Sequence, residues 1–147
     1  MRVVVQRVSA AQVVVDGAAV GSIDHGMLVL VGFTDGDDAA QLRWMADKLG
    51  GLRIFEDDQG KMNLSVTEIG GSVLLVPNFT LYADCQKGRR PSFSRAAEPS
   101  IATELFNGFC DLLQESGLQI AKGVFGAYMQ VSLCNDGPVT FIIDSPK

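Results

Sequence analysis

Apolar, β-branched residues dominate the start of the chain and are broken at short intervals by turn residues. Residues 2–8 and 11–15 are rich in valine, as strands are. Asp-Gly at 16–17 is a strong two-residue hairpin turn, and residues 18–23 continue the same strand character. This pattern predicts that the fold opens with a β-meander.

Two later runs, 27–33 and 72–76, are apolar without any polar alternation. Such runs are typical of strands covered on both faces, and the first should be central in the sheet. Between them the pattern predicts a short strand at 53–55, an acidic turn at 56–60 and a loop-rich connection at 61–71.

Two segments repeat apolar residues at helical spacing. The first helix follows a turn and has Asp37 as its predicted N-cap, and a glycine pair ends it. The second begins at Pro99-Ser100 and stops at Gly117. The predicted inward faces are Leu42, Met45, Ala46 and Leu49 in the first helix, and Ile101, Leu105, Phe109 and Leu112 in the second.

Residues 119–122, 128–134 and 139–143 predict three closing strands. The last two flank Asn-Asp-Gly-Pro at 135–138, which we interpret as a hairpin tip. Glycine and proline leave backbone carbonyls little covered by side chains, so the tip suits recognition by backbone atoms. Taken alone, the Gly-Pro pair favours an ordinary turn with a trans bond, because few X-Pro bonds are cis.

The composition fits one globular domain over residues 1–147. The chain is 47% hydrophobic and 20% charged, enough to form a core of its own. No apolar run approaches the length needed to cross a bilayer, and the first residues lack the apolar region of a signal peptide. We therefore expect a cytoplasmic protein with no membrane partner.

The net charge of −5 argues mildly against a nucleic-acid partner. One basic cluster departs from this balance: Lys87, Arg89 and Arg90 lie in a loop-like stretch rich in Gly, Pro and Ser. The cluster could contact a phosphate backbone. On charge alone, a solvated loop whose arginines pair with some of the 17 acidic residues is equally well supported.

Few side chains are suited to acid–base catalysis. His25 is the only histidine and lies in a turn, where we expect it to be exposed and idle. Cys85, Cys110 and Cys134 are far apart, which excludes a CxxC motif and suggests reduced thiols that fill the core. The acidic turn lacks the spaced ligands of a calcium loop, so no metal and no cofactor is expected. An enzyme of this composition would act on an activated bond, such as an ester, through positioning and backbone N–H donors.

Six motifs, in order along nearly the whole chain, resemble the D-aminoacyl-tRNA deacylase (D-tyrosyl-tRNA deacylase) family. They are MRVVVQRV at 1–8, LRIFED at 52–57, GKMNLS at 60–65, FTLYAD at 79–84, KGRRPSF at 87–93 and NDGPVT at 135–140. The resemblance implies an α/β fold of curved, barrel-like sheet layers with two helices packed outside, in an obligate homodimer. It also implies a hydrolase that proofreads translation by cleaving D-aminoacyl-tRNA and sparing L-aminoacyl-tRNA.

In this family the bond corresponding to Gly137-Pro138 is cis, and each subunit inserts it into the other's pocket. The resemblance then implies that Gly137 and Pro138 hold the substrate's α-amino group and leave no room for an L side chain. Arg7 would support their geometry. Glycine has no side chain to exclude, so glycyl-tRNA mischarged on tRNA-Ala is an expected second substrate.

The other half of the implied site is Asn78, Phe79 and Thr80, where backbone N–H groups would stabilise an oxyanion. The family has Ser-Gln where this chain has Pro77 and Asn78, so contacts through these two residues could be lost. The 2′-hydroxyl of the terminal adenosine would assist the reaction. A Thr80 nucleophile is the rival mechanism, although no base is evident for it.

Three further roles follow from the resemblance. Phe125 and Met129 correspond to pocket-lining positions, although core packing explains both nearly as well. Asn135 and Thr140 would brace the Gly-Pro segment. Lys87, Arg89 and Arg90 would contact tRNA, and no DNA partner is implied.

Two other classes of function remain open. The chain could be a general esterase that uses Thr80, which would cleave D- and L-esters alike. It could also be a tRNA-binding module without turnover, which a deacylation assay would distinguish.

Overall fold

A computed structural model describes residues 1–147 and contains eight strands, two α-helices and one 3-10 helix. In chain order these are β1 (Arg2–Val15), β2 (Ala18–Ile23), β3 (Gly26–Gly32), α1 (Ala39–Gly50), β4 (Phe55–Glu56), β5 (Met62–Leu64), β6 (Ser72–Pro77), the 3-10 helix (Phe79–Tyr82), α2 (Pro99–Glu115), β7 (Gln119–Lys122) and β8 (Gln130–Asp144). The predicted connection at 61–71 thus contains a strand, because β5 pairs with β4 in a small separate sheet.

β1 is one continuous strand, where the sequence predicts two. β8 pairs with one of its edges from Val14 to Arg2, so β2 and β3 share the other edge. β2 pairs with the second part of β1, where Ala11 lies opposite Ile23, and β3 pairs with the first part, where Val8 lies opposite Gly26. The predicted meander is therefore wrong: β2 and β3 do not pair, because the bend between them continues the chain in the same direction along β1.

The rest of the main sheet is parallel. β6 pairs with β3, and β7 pairs with β6, each in parallel register. The sheet curls until β2 lies against β7: a Cβ on Gly21 would be 2.8 Å from the carbonyl oxygen of Lys122. Glycine permits this close approach, and the result is the nearly closed, barrel-like sheet that the resemblance implies.

The hydrophobic core forms on both faces of the sheet. Met27 and Val29 of β3 belong to a cluster of 23 buried residues beneath the two helices, whereas Leu28 belongs to a cluster of 7 on the opposite face. β6 alternates in the same way. The prediction that both runs are buried on both faces is confirmed.

The inward face of α1 is as predicted, but that of α2 is not. Phe109 is buried, whereas Ile101 is half exposed and Leu105 and Leu112 only flank the core. The buried face of α2 consists of Ala102, Phe106, Phe109, Cys110 and Leu113. Apolar residues occupy two adjacent stripes of this helix, so periodicity alone could not decide which stripe faces the sheet.

The N-cap of α1 is Asp38, not the predicted Asp37. The Asp38 carboxylate accepts the Ala40 N–H at 2.6 Å, and the Gln41 side chain accepts the Asp38 N–H at 3.0 Å. Asp37 instead accepts the N–H of Thr34 at 2.8 Å and so closes the preceding turn. Neither helix is both long and apolar enough to span a membrane.

Candidate active site

A cavity of about 650 Å³ opens where the parallel strands β3 and β6 end. Its lining comes from Leu30 and Val76, from residues 77–79, and from parts of the segments 93–102 and 125–131. Phe79 is the one residue of the 3-10 helix in this lining, and Thr80 does not belong to it. The lining is mostly apolar; its polar side chains are Asn78, Glu98 and Tyr128. Ligand sites are commonly found at the carboxyl ends of parallel strands.

Asn78 organises the start of the 3-10 helix. Its side-chain oxygen accepts the N–H of Thr80 at 3.2 Å and the hydroxyl of Thr80 at 2.5 Å. The hydroxyl of Thr80 is thus hydrogen-bonded to an amide, which cannot take up a proton. Asn78, which departs from the pattern of the family that the sequence resembles, thus acts as the N-cap of the 3-10 helix.

Phe79 presents the unpaired backbone donor of this segment. Pro77 has no N–H, the Asn78 N–H bonds to the Val31 carbonyl at 2.7 Å, and the Thr80 N–H is held by Asn78. The Phe79 N–H has no acceptor in the chain, although Phe79 lines the cavity. A donor without a partner in the chain is free to bind the carbonyl of a ligand in the cavity.

Phe125 and Met129 line the cavity and also pack against the core clusters. The Phe125 ring lies 6.3 Å from that of Phe106 on α2. Met129 fits closely over Gly123, where a Cβ would be 2.6 Å from its sulfur. The two proposed roles, pocket lining and packing, are therefore compatible.

The Gly-Pro segment is not the tip of a hairpin. The two stretches that flank it run in the same direction along β1, with Asn135 opposite Val8 and Thr140 opposite Gln6. Residues 136–139 leave the ladder between these pairs and form a bulge opposite one residue, Arg7. We call these four residues the Gly-Pro bulge.

Two side chains hold the Gly-Pro bulge. Arg7, only 5% exposed, donates from Nε to the Asp136 carbonyl at 2.9 Å and from Nη1 to the Ile54 carbonyl at 2.8 Å. Asn135 donates from Nδ2 to the Arg7 and Val139 carbonyls, both at 2.9 Å, and accepts the Val139 N–H at 3.2 Å. These hydrogen bonds anchor both ends of the bulge, at Asp136 and at Val139.

Within the bulge, the peptide bond between Gly137 and Pro138 is cis, as the resemblance implies, and both residues are exposed. Gly137 has φ +155°, and a Cβ at this position would collide with Val139. Thr140, just beyond the bulge, accepts a hydrogen bond from the Gln6 side chain at 3.2 Å.

The bulge and the large cavity are separate in one chain. No residue of the bulge lines the cavity. Asp136 and Arg7 instead border a second hollow of about 200 Å³, together with His25 and Glu56. His25 is exposed, as predicted, and packs edge-on against Phe55. The structure therefore unites Asn78, Phe79, Phe125 and Met129, and leaves Gly137 and Pro138 apart from them.

The basic cluster lies on an exposed loop, residues 85–91, which we call the basic loop. Asp84 and Ser92 close it with two backbone hydrogen bonds of 2.7 and 2.9 Å. Lys87, Arg89 and Arg90 form no ion pair, so the alternative in which the arginines of this loop pair with acidic residues is not supported. The loop leads directly into Phe93, whose ring meets that of Phe79 at 5.0 Å on the cavity rim.

The Thr80 hydroxyl hydrogen-bonds to Asn78 and to no titratable side chain that could act as its base. Burial, with help from the Asp37 and Asp144 carboxylates, raises the pKa of the nearby Tyr82 to about 12, so its hydroxyl stays protonated.

Burial also raises the pKa of the Cys110 thiol to about 11. Cys85 and Cys134 are exposed, so the prediction that all three cysteines fill the core holds only for Cys110. No group of three or more His, Cys, Asp or Glu side chains is arranged to hold a metal.

Fold and site together define a single-domain α/β protein whose apolar cavity offers a backbone donor in place of a side-chain base. Residues 4–144 match the family model described as D-Tyr-tRNA(Tyr) deacylase, and the chain belongs to this family.

Several curated relatives align over nearly the full length. A "D-aminoacyl-tRNA deacylase" of Geobacter metallireducens is 54% identical over 147 residues, which are all of this chain and 97% of the relative. One from Desulfitobacterium hafniense is 56% identical and is covered to 99%.

Two solved structures share the fold. The c-Myc DNA Unwinding Element Binding Protein is 40% identical, with a TM-score of 0.94 and complete coverage of both chains. A probable eukaryotic D-amino acid tRNA deacylase has a TM-score of 0.82 over 97% of both chains, and at 20% identity it supports the fold alone.

Proposed function

We propose that this chain is a D-aminoacyl-tRNA deacylase that hydrolyses the ester between a D-amino acid and the terminal adenosine of tRNA. Family membership and relatives of 54–56% identity support the activity. The unpaired N–H of Phe79 on an apolar cavity supports the mechanism, because a preorganised donor stabilises the oxyanion that forms during ester hydrolysis.

In the proposed reaction, a water molecule attacks the ester carbonyl carbon while the Phe79 N–H stabilises the developing oxyanion. The bond between the carbonyl carbon and the ribose 3′-oxygen then breaks. The 2′-hydroxyl receives the proton released by water and passes its own to the 3′-oxygen, so the products are a free amino acid and tRNA. Thr80, held by Asn78, orients the water or the ester and forms no covalent intermediate.

Chiral selection is assigned to the Gly-Pro bulge of a second subunit. The bulge presents exposed backbone at one place in the chain, and the cavity lies at another. In a homodimer, each bulge would enter the partner's cavity, where its carbonyls would accept the substrate's α-ammonium group. An L side chain would then collide with the bulge, whereas a D side chain would point away from it.

Two consequences concern the substrates. Glycine presents no side chain to the bulge, so glycyl-tRNA mischarged on tRNA-Ala is a proposed second substrate. Lys87, Arg89 and Arg90 carry charges with no partner in the chain and are proposed to contact tRNA phosphates. We expect the protein to act in the cytoplasm, where these substrates are used in translation.

The experiment compares hydrolysis of D-tyrosyl-tRNA and L-tyrosyl-tRNA, each with the terminal 2′-hydroxyl present or replaced by hydrogen. We expect kcat/KM to favour the D substrate by about 100-fold or more, equivalent to about 2.7 kcal/mol, and the 2′-deoxy substrate to be inert. Equal cleavage of D- and L-esters would instead indicate a general esterase. No cleavage of either would indicate a binding module.

The same assay with Thr80→Val and Thr80→Ser tests the role of the hydroxyl. Valine keeps the shape of threonine without its oxygen, and serine keeps the oxygen. We expect Thr80→Val to retain turnover within about tenfold of the wild type, because no nucleophile is lost. Abolished cleavage in Thr80→Val, with activity in Thr80→Ser and on the 2′-deoxy ester, would identify Thr80 as the nucleophile.

A further inference from the structure

Three aromatic rings surround the mouth of the cavity and remain exposed. Phe79 is 54% exposed, Phe93 is 40% exposed and Tyr128 is 88% exposed. Phe79 and Phe93 pack edge-to-face on each other. The Tyr128 ring has no aromatic partner, and its hydroxyl makes no hydrogen bond.

The backbone around Tyr128 is fixed even though its ring is free. The Gly123 N–H donates to the Leu75 carbonyl at 2.8 Å, and the Ala127 N–H donates to the Val124 carbonyl at 3.2 Å. Met129, the next residue, packs into the core cluster at the cavity floor. Tyr128 is thus a large aromatic group held at the rim, and such an amphipathic ring is suited to contact a ligand surface.

Charge at the rim indicates the kind of ligand. The basic loop ends beside Phe93, and its three cations have no acidic partner. Exposed aromatic rings next to unpaired cations are the combination by which proteins bind single-stranded nucleic acid, since bases stack on the rings and phosphates contact the cations. Glu98 is the one carboxylate of the cavity wall, so the phosphates should follow the basic loop and avoid Glu98.

The size of the cavity sets which nucleotide reaches Tyr128. Its volume of about 650 Å³ lies in the usual range for a pocket that holds one small ligand. In the proposed function that ligand is the terminal nucleoside with its aminoacyl group. The preceding nucleotide must then leave through the mouth. We propose that Tyr128 stacks on the base that precedes the terminal nucleotide of the single-stranded 3′ end of the substrate. This inference rests on the proposed function.

The test compares two D-tyrosyl esters, one of full-length tRNA and one of adenosine alone, which lacks the preceding base. Alanine at position 128 removes the ring, and phenylalanine keeps it without the hydroxyl. We expect Tyr128→Ala to raise KM for D-tyrosyl-tRNA about tenfold, with a much smaller change for the adenosine ester. Tyr128→Phe should restore the wild-type KM for both esters.

A second comparison separates stacking from phosphate contact. Tyr128→Ala should leave the dependence of KM on salt concentration as in the wild type, whereas the double variant Arg89→Ala/Arg90→Ala should flatten it. A flattened salt dependence in Tyr128→Ala would contradict stacking.

Three further outcomes would overturn the proposal. In the first, Tyr128→Ala weakens hydrolysis of both esters equally, which would place the ring against the terminal nucleoside. In the second, Tyr128→Ala dissociates the protein in sedimentation experiments, which would make Tyr128 an interface residue between two copies. In the third, neither KM changes. If the wild type cleaves neither ester, the proposed function itself fails, and this result is distinct from the other three.

Discussion

In the proposed mechanism, the stabilisation of the oxyanion depends on one backbone group, the Phe79 N–H. A neutral N–H held at the wall of an apolar cavity interacts more strongly with a developing negative charge than the same group in water. Its neighbours cannot take over this task, because Pro77 has no N–H and the N–H groups of Asn78 and Thr80 are engaged. Pro77 and Asn78 therefore leave the Phe79 N–H as the free donor of this segment.

Replacing Phe79 by proline removes this N–H together with the ring, and the backbone should tolerate it because proline is accepted at the first position of a helix. We expect Phe79→Pro to lower kcat for D-tyrosyl-tRNA by about 100- to 1000-fold, as loss of one oxyanion donor does in other hydrolases. The measurement is single-turnover deacylation, which reports the chemical step.

Phe79→Ala is the matched control, because it loses the ring and keeps the N–H. It should raise KM and keep most of kcat. Equal losses of kcat in the two variants would mean that the ring, not the donor, carries the effect.

The Gly-Pro bulge illustrates how an element can depend on contacts remote in sequence. Its backbone is held by Arg7 from β1 and by Asn135 at its own base. Arg7 also donates to the Ile54 carbonyl, just before β4, so the small β4–β5 sheet helps to position the bulge. The stability of that sheet is therefore relevant to the site.

Asp57 organises the turn between β4 and β5. Its carboxylate accepts the N–H groups of Lys61 at 3.1 Å and Gln59 at 2.9 Å, and these bonds lower its pKa below the usual value. Because the folded-state pKa is the lower one, the stabilisation is complete above the unfolded-state pKa of about 3.9 and is lost as pH falls through the folded-state value. We expect Asp57→Asn to unfold at lower urea concentration than the wild type at pH 7, with the difference vanishing in strong acid.

Asp58→Asn removes the same charge from the same turn, and the Asp58 side chain makes no hydrogen bond. It should leave the urea midpoint nearly unchanged at both pH values. Equal shifts for the two variants would attribute the effect to net charge and not to the turn.

At the scale of the whole molecule, the cavity and the Gly-Pro bulge lie in different places on one chain. A second copy related by twofold symmetry would bring each cavity together with the other chain's bulge. The separation within one chain is thus the structural basis for the proposed dimeric site.

Subunit complementation tests this arrangement. Gly137→Val should distort the bulge, because a Cβ there collides with Val139, and Phe79→Pro should disable the cavity. Neither homodimer should be active. A heterodimer purified through two different tags combines one intact cavity with one intact bulge, and should have about half of the wild-type activity per dimer.

The control is a heterodimer in which one chain carries both changes and its partner is wild type. It contains no complete site if the site is shared between chains, and one complete site if each chain has its own. Activity in this control, together with none in the first heterodimer, would show that cavity and bulge act within one chain.

Prediction from sequence succeeded where the local pattern is sufficient. The apolar runs of β3 and β6, the inward face of α1 and the exposure of His25 followed from periodicity and turn chemistry. Prediction failed where the local sequence fits two structures equally well. Examples are the stripe of α2 that faces the sheet and the choice between Asp37 and Asp38 as the N-cap of α1. The Gly-Pro segment is the clearest case, since apolar strands flank a hairpin tip and a strand bulge alike.

The sequence by itself determined that this is one α/β domain of a recognisable family, with few side chains for acid–base chemistry and a Gly-Pro segment rich in exposed backbone. These properties depend on residue type and short spacing. Only the tertiary structure decided that β1 pairs along its length with β8, that residues 136–139 leave that ladder opposite Arg7, and that Phe79 has the free N–H. The physical reason is that strand pairing and hydrogen-bond satisfaction join residues more than 100 positions apart, and local preference does not specify such partners.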